Sequence, residues 1–169
     1  MQNEFAYPRR VISILVENHY GVLARISSMF NRRSFNIDSI AASATIDPEI
    51  TRITITVHVD EKVLKQVLLQ TERLEEVKEV FVLNEDSLQR ELLLIKVAAN
   101  RDDLPSLRDI CAIYKAKIID LSPSSLVIEL TGKPEKIDGF LSMMEGFQVL
   151  EMCRTGITAL DRGDKEHYL

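Results

Sequence analysis

This sequence is poor in the residues that build most catalytic and phosphate-binding centres. It has two cysteines, three histidines and six glycines in 169 residues. The histidines, His19, His58 and His167, fall in a loop, a strand and the C-terminal tail. No H-x-x-H, H-E-x-x-H or C-x-x-C spacing occurs, so a metal site with converging ligands is not expected. Cys111 and Cys153 each sit in an apolar pattern, as buried thiols of a reducing compartment do. A disulfide between them is not implied. So few glycines leave little material for a phosphate loop, and no G-x-x-x-x-G-K-[ST] or G-x-S-x-G motif is present. No apolar run approaches the roughly 20 residues that span a bilayer. The opening Met1-Gln2-Asn3-Glu4-Phe5-Ala6-Tyr7-Pro8 lacks the charged-then-apolar order of a signal peptide, and a cytoplasmic location is expected. A net charge of −5 offers no excess of cations for nucleic-acid phosphates. Clusters such as Glu75-Glu76 and Arg9-Arg10 read as solvated surface.

What is present is one paragraph written twice. Val11 to Val16 is apolar on both faces and reads as a central strand. After Asn18-His19-Tyr20-Gly21, the residues Val22, Leu23, Ile26, Met29 and Phe30 recur at helical spacing, with Arg32 and Arg33 closing that helix. Asn36 to Ile46 is a second strand, and Asp47-Pro48-Glu49 is a turn. Ile53, Ile55, Val57 and Val59 then alternate with Thr54, Thr56 and His58, one face apolar and one polar. Asp60 is placed to cap a helix carrying Val63, Leu64, Val67 and Leu68, and Val77 to Leu83 is a fourth strand. From Leu92 the cycle repeats. Leu92–Val97 is followed by a helix opened by Asp102 or Asp103, then the strands Ile118–Leu121 and Leu126–Thr131. A helix led by Pro134 with Ile137, Phe140, Leu141 and Met144 comes next, and then a strand region from Val149 to Leu160. Asp161 to Leu169 reads as a frayed tail. The order β-α-β-β-α-β in each half predicts an α+β protein of two ferredoxin-like units in tandem, 1–84 and 85–169.

One segment stands apart chemically. Asn18-His19-Tyr20-Gly21-Val22-Leu23 lies where the first strand hands over to the first helix. Backbone N–H groups at a helix start are unpaired and sit at the positive end of its dipole. A carboxylate fits the N–H groups of Gly21, Val22 and Leu23, and Gly21 has no Cβ to obstruct it. The Asn18 side chain is able to accept from an ammonium, and Asn36 is a possible second amide. The same residues also fit a plain reading: Asn18 as a turn or capping residue and Gly21 as a tight turn. The second copy, Asn100-Arg101-Asp102-Asp103-Leu104, keeps an Asn but places Asp103 against Gly21, and a carboxylate there would repel an anion. A ligand loop is therefore expected in the first half only.

These residues resemble a known family. Arg10-Val11-Ile12-Ser13-Ile14-Leu15-Val16-Glu17-Asn18, Gly21-Val22-Leu23-Ala24-Arg25-Ile26, Phe30, Arg33 and Phe35-Asn36-Ile37-Asp38-Ser39-Ile40 resemble an ACT domain. More narrowly they resemble the small regulatory subunit of acetolactate synthase (acetohydroxyacid synthase). The likeness continues through Asp60-Glu61-Lys62-Val63-Leu64, Arg90–Val97, Ile118-Ile119-Asp120 and Arg162-Gly163-Asp164-Lys165, nearly the whole chain. It implies a non-catalytic subunit that activates a large catalytic subunit and confers feedback inhibition by valine in branched-chain amino-acid biosynthesis. Thiamine diphosphate, Mg and FAD are then expected in that partner and no cofactor in this chain. The resemblance further implies a homodimer with valine held between two ACT domains by Asn18, Gly21 and Asn36. Val22 and Leu23 would lend backbone, and Ile37 would lie beside the ligand across the interface. His19 and Tyr20 vary the middle of the loop, so the choice among valine, leucine and isoleucine stays open. The C-terminal half is expected to contact the catalytic subunit. Two rival classes fail for want of parts. A transcriptional amino-acid sensor needs a DNA-reading element, and a small enzyme needs a cluster of titratable groups.

Overall fold

A computed structural model describes residues 7–31, 36–164 and 167. Arg32, Arg33, Phe35 and Lys165, cited above, lie outside the described residues. The elements follow the expected order. The first set is β1 (Arg9–Glu17), α1 (Val22–Asn31), β2 (Ile37–Ala44), β3 (Ile50–His58), α2 (Glu61–Thr71) and β4 (Val77–Val82). The second is β5 (Leu88–Ala98), α3 (Leu104–Tyr114), β6 (Lys117–Leu121), β7 (Ser125–Gly132), α4 (Pro134–Met144) and β8 (Val149–Arg154), with a short β9 (Thr158–Leu160) after it. The strand orders are β2-β3-β1-β4 and β6-β7-β5-β8, the same ferredoxin-like topology twice, and the ladders within each are antiparallel.

Each unit has its own core. In the first, Ile12, Ile14 and Val16 of β1 and Ile53, Ile55 and Val57 of β3 meet Val22, Ile26 and Phe30 of α1 and Leu64 and Val67 of α2. In the second, Leu93, Ile95 and Val97 take the β1 role, against Leu107, Cys111, Ile137, Phe140 and Met144. Capping follows local chemistry. Asp60 is extended (φ −72°, ψ 167°) and its carboxylate accepts from Val63 N at 2.8 Å. Pro134 opens α4, where a missing N–H costs nothing. The polar face of β3, which the sequence leaves open between solvent and a contact, is covered at Thr54 and Thr56, both 3% exposed. Ser39 Oγ donates to Thr56 Oγ1 at 3.0 Å, which satisfies part of that buried polarity.

The division into units also departs from the tandem halves. One unit comprises 1–88 together with 156–169, and the other is 89–155. The chain returns to the first unit because the side of β1 and β4 away from the helices is apolar too. Ile157 and Ala159 are buried there with Val11 and Leu83, and Phe81 packs beside them. The expected strand region from Val149 to Leu160 is two strands, β8 and β9, with residues 155–157 between them. Asp161 Oδ1 accepts from Asn84 N at 3.0 Å. The His167 ring stacks on Phe81 with centroids 3.4 Å apart, and its Nδ1 lies 2.8 Å from Glu79 Oε1. Asp161 and His167 are thus held in place, contrary to the frayed tail expected from sequence.

Cys111 is buried in the second core, and burial pushes its thiol pKa up. Cys153 is exposed on β8, opposite Leu94, contrary to the buried thiol its apolar neighbours suggest. Both are free. A thiol reagent should therefore modify one cysteine in the native protein and two after denaturation. Rapid loss of both thiols in the native state would contradict the burial of Cys111.

Gly156 provides a test of the returning segment. A Cβ there would lie 2.8 Å from Ile40 O and 3.0 Å from Ile40 C, backbone atoms that have nowhere to go. Gly156→Ala should cost about 1–3 kcal/mol, as overpacking does, and lower the urea midpoint. An unchanged midpoint would mean that the segment does not lie against β2.

Candidate functional site

The junction between β1 and α1 is built from backbone bonds on both flanks. Glu17 N donates to Glu76 O at 2.9 Å, and Asn18 N donates to Glu49 O at 2.7 Å. The Asn18 amide Nδ2 donates to Pro48 O at 3.0 Å, so its Oδ1 faces away from that turn. Gly21 has φ +88°, a conformation that side chains disfavour, and nothing lies within 4 Å of where a Cβ would be. Arg25 N donates to Gly21 O at 3.0 Å, the first bond of the helix. The N–H groups of Val22, Leu23 and Ala24 therefore have no carbonyl within α1 and face outward at its positive end. Val22 itself is 4% exposed and its side chain belongs to the core, which leaves only its backbone for a ligand. Leu23 is 46% exposed and Tyr20 fully exposed.

The remaining site residues named from sequence are elsewhere. The β1–β3 and β2–β3 registers pair Glu17 with Ile50 and Ala44 with Thr51 at one end of the sheet, and Arg10 and Ile37 with Val57 near the other. Asn36, exposed, and Ile37, half-buried against the core, therefore lie roughly 23 Å along the strand direction from Glu17, at about 3.3 Å per residue. One chain brings Asn18, Gly21, Val22 and Leu23 together and leaves Asn36 and Ile37 apart.

Sequence reasoning missed a group of charges around the junction. Glu76 is 7% exposed, unlike the solvated surface expected of Glu75-Glu76, and its carboxylate is paired with Arg25 of α1. Lys78 pairs with Glu17, and His19 Nε2 lies 3.5 Å from Glu17 Oε2. The hydrogen bond from Lys78 and its charge hold the Glu17 carboxyl below the usual carboxylate range, with His19 adding to the effect. Only the length of the loop and the antiparallel neighbour relations bring these residues close, and neither is a local pattern.

The second unit gives an internal comparison. Ala98 N donates to Gln148 O at 2.9 Å and Ala99 N to Ser124 O at 3.0 Å, matching the bonds of Glu17 and Asn18. Ala99, buried at 7%, thus occupies the place of Asn18. Asn100, expected there, sits one residue on, where its Oδ1 accepts from Asp102 N at 2.8 Å and Asp103 N at 3.2 Å. Asp103 is the residue before α3, and its carboxylate accepts from Asn100 N at 3.0 Å. These bonds satisfy the N–H groups of the second turn, beside which a cavity lined by Ala99, Asn100, Asp103, Ser124 and Gln148 remains.

Comparison with known proteins bears on both units. A protein described as a probable acetolactate synthase small subunit from Archaeoglobus fulgidus is 39% identical over 158 residues, 94% of this chain and 99% of that one. The chain belongs to the acetolactate synthase small-subunit family. An acetolactate synthase small subunit from Mycolicibacterium smegmatis is also 39% identical, over 94% of each chain. A family profile described as the AHAS small subunit-like ACT domain matches residues 12–79, and one described as the small subunit of acetolactate synthase matches 90–163. The crystal structure of the acetolactate synthase small subunit from Thermotoga maritima superposes with a TM-score of 0.87 at 34% identity, covering 94% of this chain and 99% of that one. The resemblance read from the residues is borne out, and the doubled fold is that of a solved acetolactate synthase small subunit.

Gly21→Ala isolates the backbone requirement of the loop. The added methyl meets no neighbour, so its cost should be conformational alone, about 1–2 kcal/mol for a left-handed residue. Thermal unfolding measures it. A variant as stable as the parent would show that the loop relaxes to negative φ.

Proposed function

We propose that this chain is the regulatory subunit of an acetolactate synthase. It has no catalysis of its own, works in the cytoplasm as a homodimer, activates the catalytic large subunit and makes it sensitive to valine. Thiamine diphosphate, Mg and FAD belong to that large subunit. The observation that carries the reading is the separation of Asn18 and Gly21 from Asn36 and Ile37 on a sheet whose β2 is an edge strand. Pairing β2 antiparallel with β2 of a second copy places the start of one β2 beside the end of the other. Asn36 and Ile37 of each copy then approach the junction of its partner, and two identical pockets form.

A free branched-chain amino acid matches what such a pocket offers. Its carboxylate sits on the outward N–H groups at the start of α1, and its ammonium meets Asn18 Oδ1. Its side chain lies between exposed Leu23 and the partner's Ile37. The ligand closes the pocket best in one arrangement of the dimer. It therefore shifts the population toward that arrangement by its differential affinity, about 1–3 kcal/mol in allosteric systems. The second unit, whose turn is tied by Asn100 and Asp103 and places a carboxylate at the helix start, is assigned to contact with the large subunit.

Titration calorimetry with valine, leucine and isoleucine tests this directly. Valine should bind the parent protein, and Gly21→Asp should weaken it at least a hundredfold by placing a carboxylate against a carboxylate. Gly21→Ala, with the strain and without the charge, should retain most binding. Equal affinity for Gly21→Asp and the parent would sink the pocket. A co-purified large partner whose carboligase activity this chain raises and valine then lowers would establish the regulatory role.

A further inference from the structure

We infer that Arg25 and Glu76 form a positioning clamp that holds the effector loop in its binding geometry, an inference that rests on the junction being the amino-acid site. Glu76 grips both ends of the loop. Its carbonyl takes the N–H of Glu17, the last residue of β1, and its carboxylate takes the guanidinium of Arg25, one turn into α1. Everything between these two anchors is the segment that presents Asn18, Gly21 and the outward N–H groups. Glu76 is 7% exposed, so its carboxylate is fixed, whereas the Arg25 side chain is 59% exposed and contributes little to the core. The clamp sits on the β4 side of β1. Asn18 is tied to the opposite side, through Glu49 and Pro48. Arg25 and Glu76 therefore act on the ligand through the loop.

The repeat within the chain separates this role from a need of the fold. Ile26, nine residues beyond Glu17, corresponds to Leu107, nine beyond Ala98, and both are buried core residues. Arg25 then corresponds to Ser106, and Glu76 to Gln148 through their shared carbonyl bonds to Glu17 N and Ala98 N. By the same ladders Glu17 and Lys78 correspond to Ala98 and Leu150. The copy that carries Asn100 and Asp103 in place of the Asn18–Gly21 loop folds around an equivalent core with none of these charges. The charges go with the Gly21 loop. Pinning a loop before the ligand arrives lowers the ordering cost of binding, which is how a clamp that touches no ligand raises affinity.

The experiment is valine titration of the full chain for Arg25→Ser, Glu76→Gln, the two together, and the reversed pair Arg25→Glu with Glu76→Arg. Ser and Gln are the residues the second unit uses, so these variants retain a foldable unit, and urea unfolding run in parallel verifies it. Each single variant should weaken valine about tenfold. The double should be little worse than either single, and the reversed pair should recover most of the loss. Exchange of the Glu17 and Arg25 amides, bonded to Glu76 O and Gly21 O, should quicken in the neutral variants while that of α2 does not. Neutral variants that bind valine as the parent does would overturn the clamp and leave the pocket standing. A reversed pair no better than the neutral double would also overturn it. A parent protein that binds no branched-chain amino acid would remove the pocket itself, and with it the clamp.

Discussion

The split βαβ connection decides what this molecule can do alone. Because β3 lies between β1 and β2 and runs against both, β1 and β2 point the same way. The end of β1 and the start of β2 are then separated by the length of the sheet. The open helix start after Glu17 and the polar edge at Asn36 cannot meet in one chain, whatever the side chains do. In the proposed dimer, a two-fold axis between paired β2 strands would remove that separation. The edge suits the purpose: β2 alternates half-buried and exposed residues along its length, with Ile40 38% exposed, and has a register shift between Ile37 and Ser39. In the proposed pocket, sensing and dimerisation are therefore one event, and a ligand bound between copies acts directly on their arrangement.

Which parts were legible in the sequence follows from how local their causes are. The alternation of Ile53, Ile55 and Val57 with Thr54 and Thr56 needs only the two-residue period of a strand. Asp60 caps α2 through an amide three residues away, and Pro134 opens α4 through its own ring. The repeat itself showed because both copies keep the same apolar spacing. The candidate loop was visible through Gly21 and Asn18, since a positive φ and a strand end are local demands.

The rest depends on tertiary neighbours. The burial of Thr54 and Thr56 does not follow from an alternating strand, whose polar face reads equally well as solvated. The return of 156–169 depends on an apolar second face at Val11, Phe81 and Leu83, whose cover comes from over seventy residues away. Glu76 reads as one of two surface acids until the ladder places its carbonyl beside Glu17. The assignment of Asn100 to the place of Asn18 came from matching residue types. The backbone bonds of Ala98 and Ala99 correct it by one residue, and with that shift the second copy loses the amide that made it look half-competent.

That shift bears on how a doubled unit divides labour. Two copies that share a fold can diverge only where the core does not depend on them, and the strand-to-helix junction is such a place. In the second unit Asn100 and Asp103 satisfy the backbone of the turn from within, and the Asp103 carboxylate beside the helix start would repel an anion. In the first, Gly21 takes its positive φ without steric cost and three N–H groups face out, where a carboxylate would satisfy them. The charges of Glu17, Lys78, Arg25 and Glu76 gather around the copy that carries this loop. So does the C-terminal segment, which reaches β2 at Ile40 through Gly156. The first unit is thus completed by residues that follow the second one in the chain. A fragment ending at Asn84 would lack the cover over Val11 and Leu83, so valine binding by such a fragment would report on a damaged sheet as much as on the pocket.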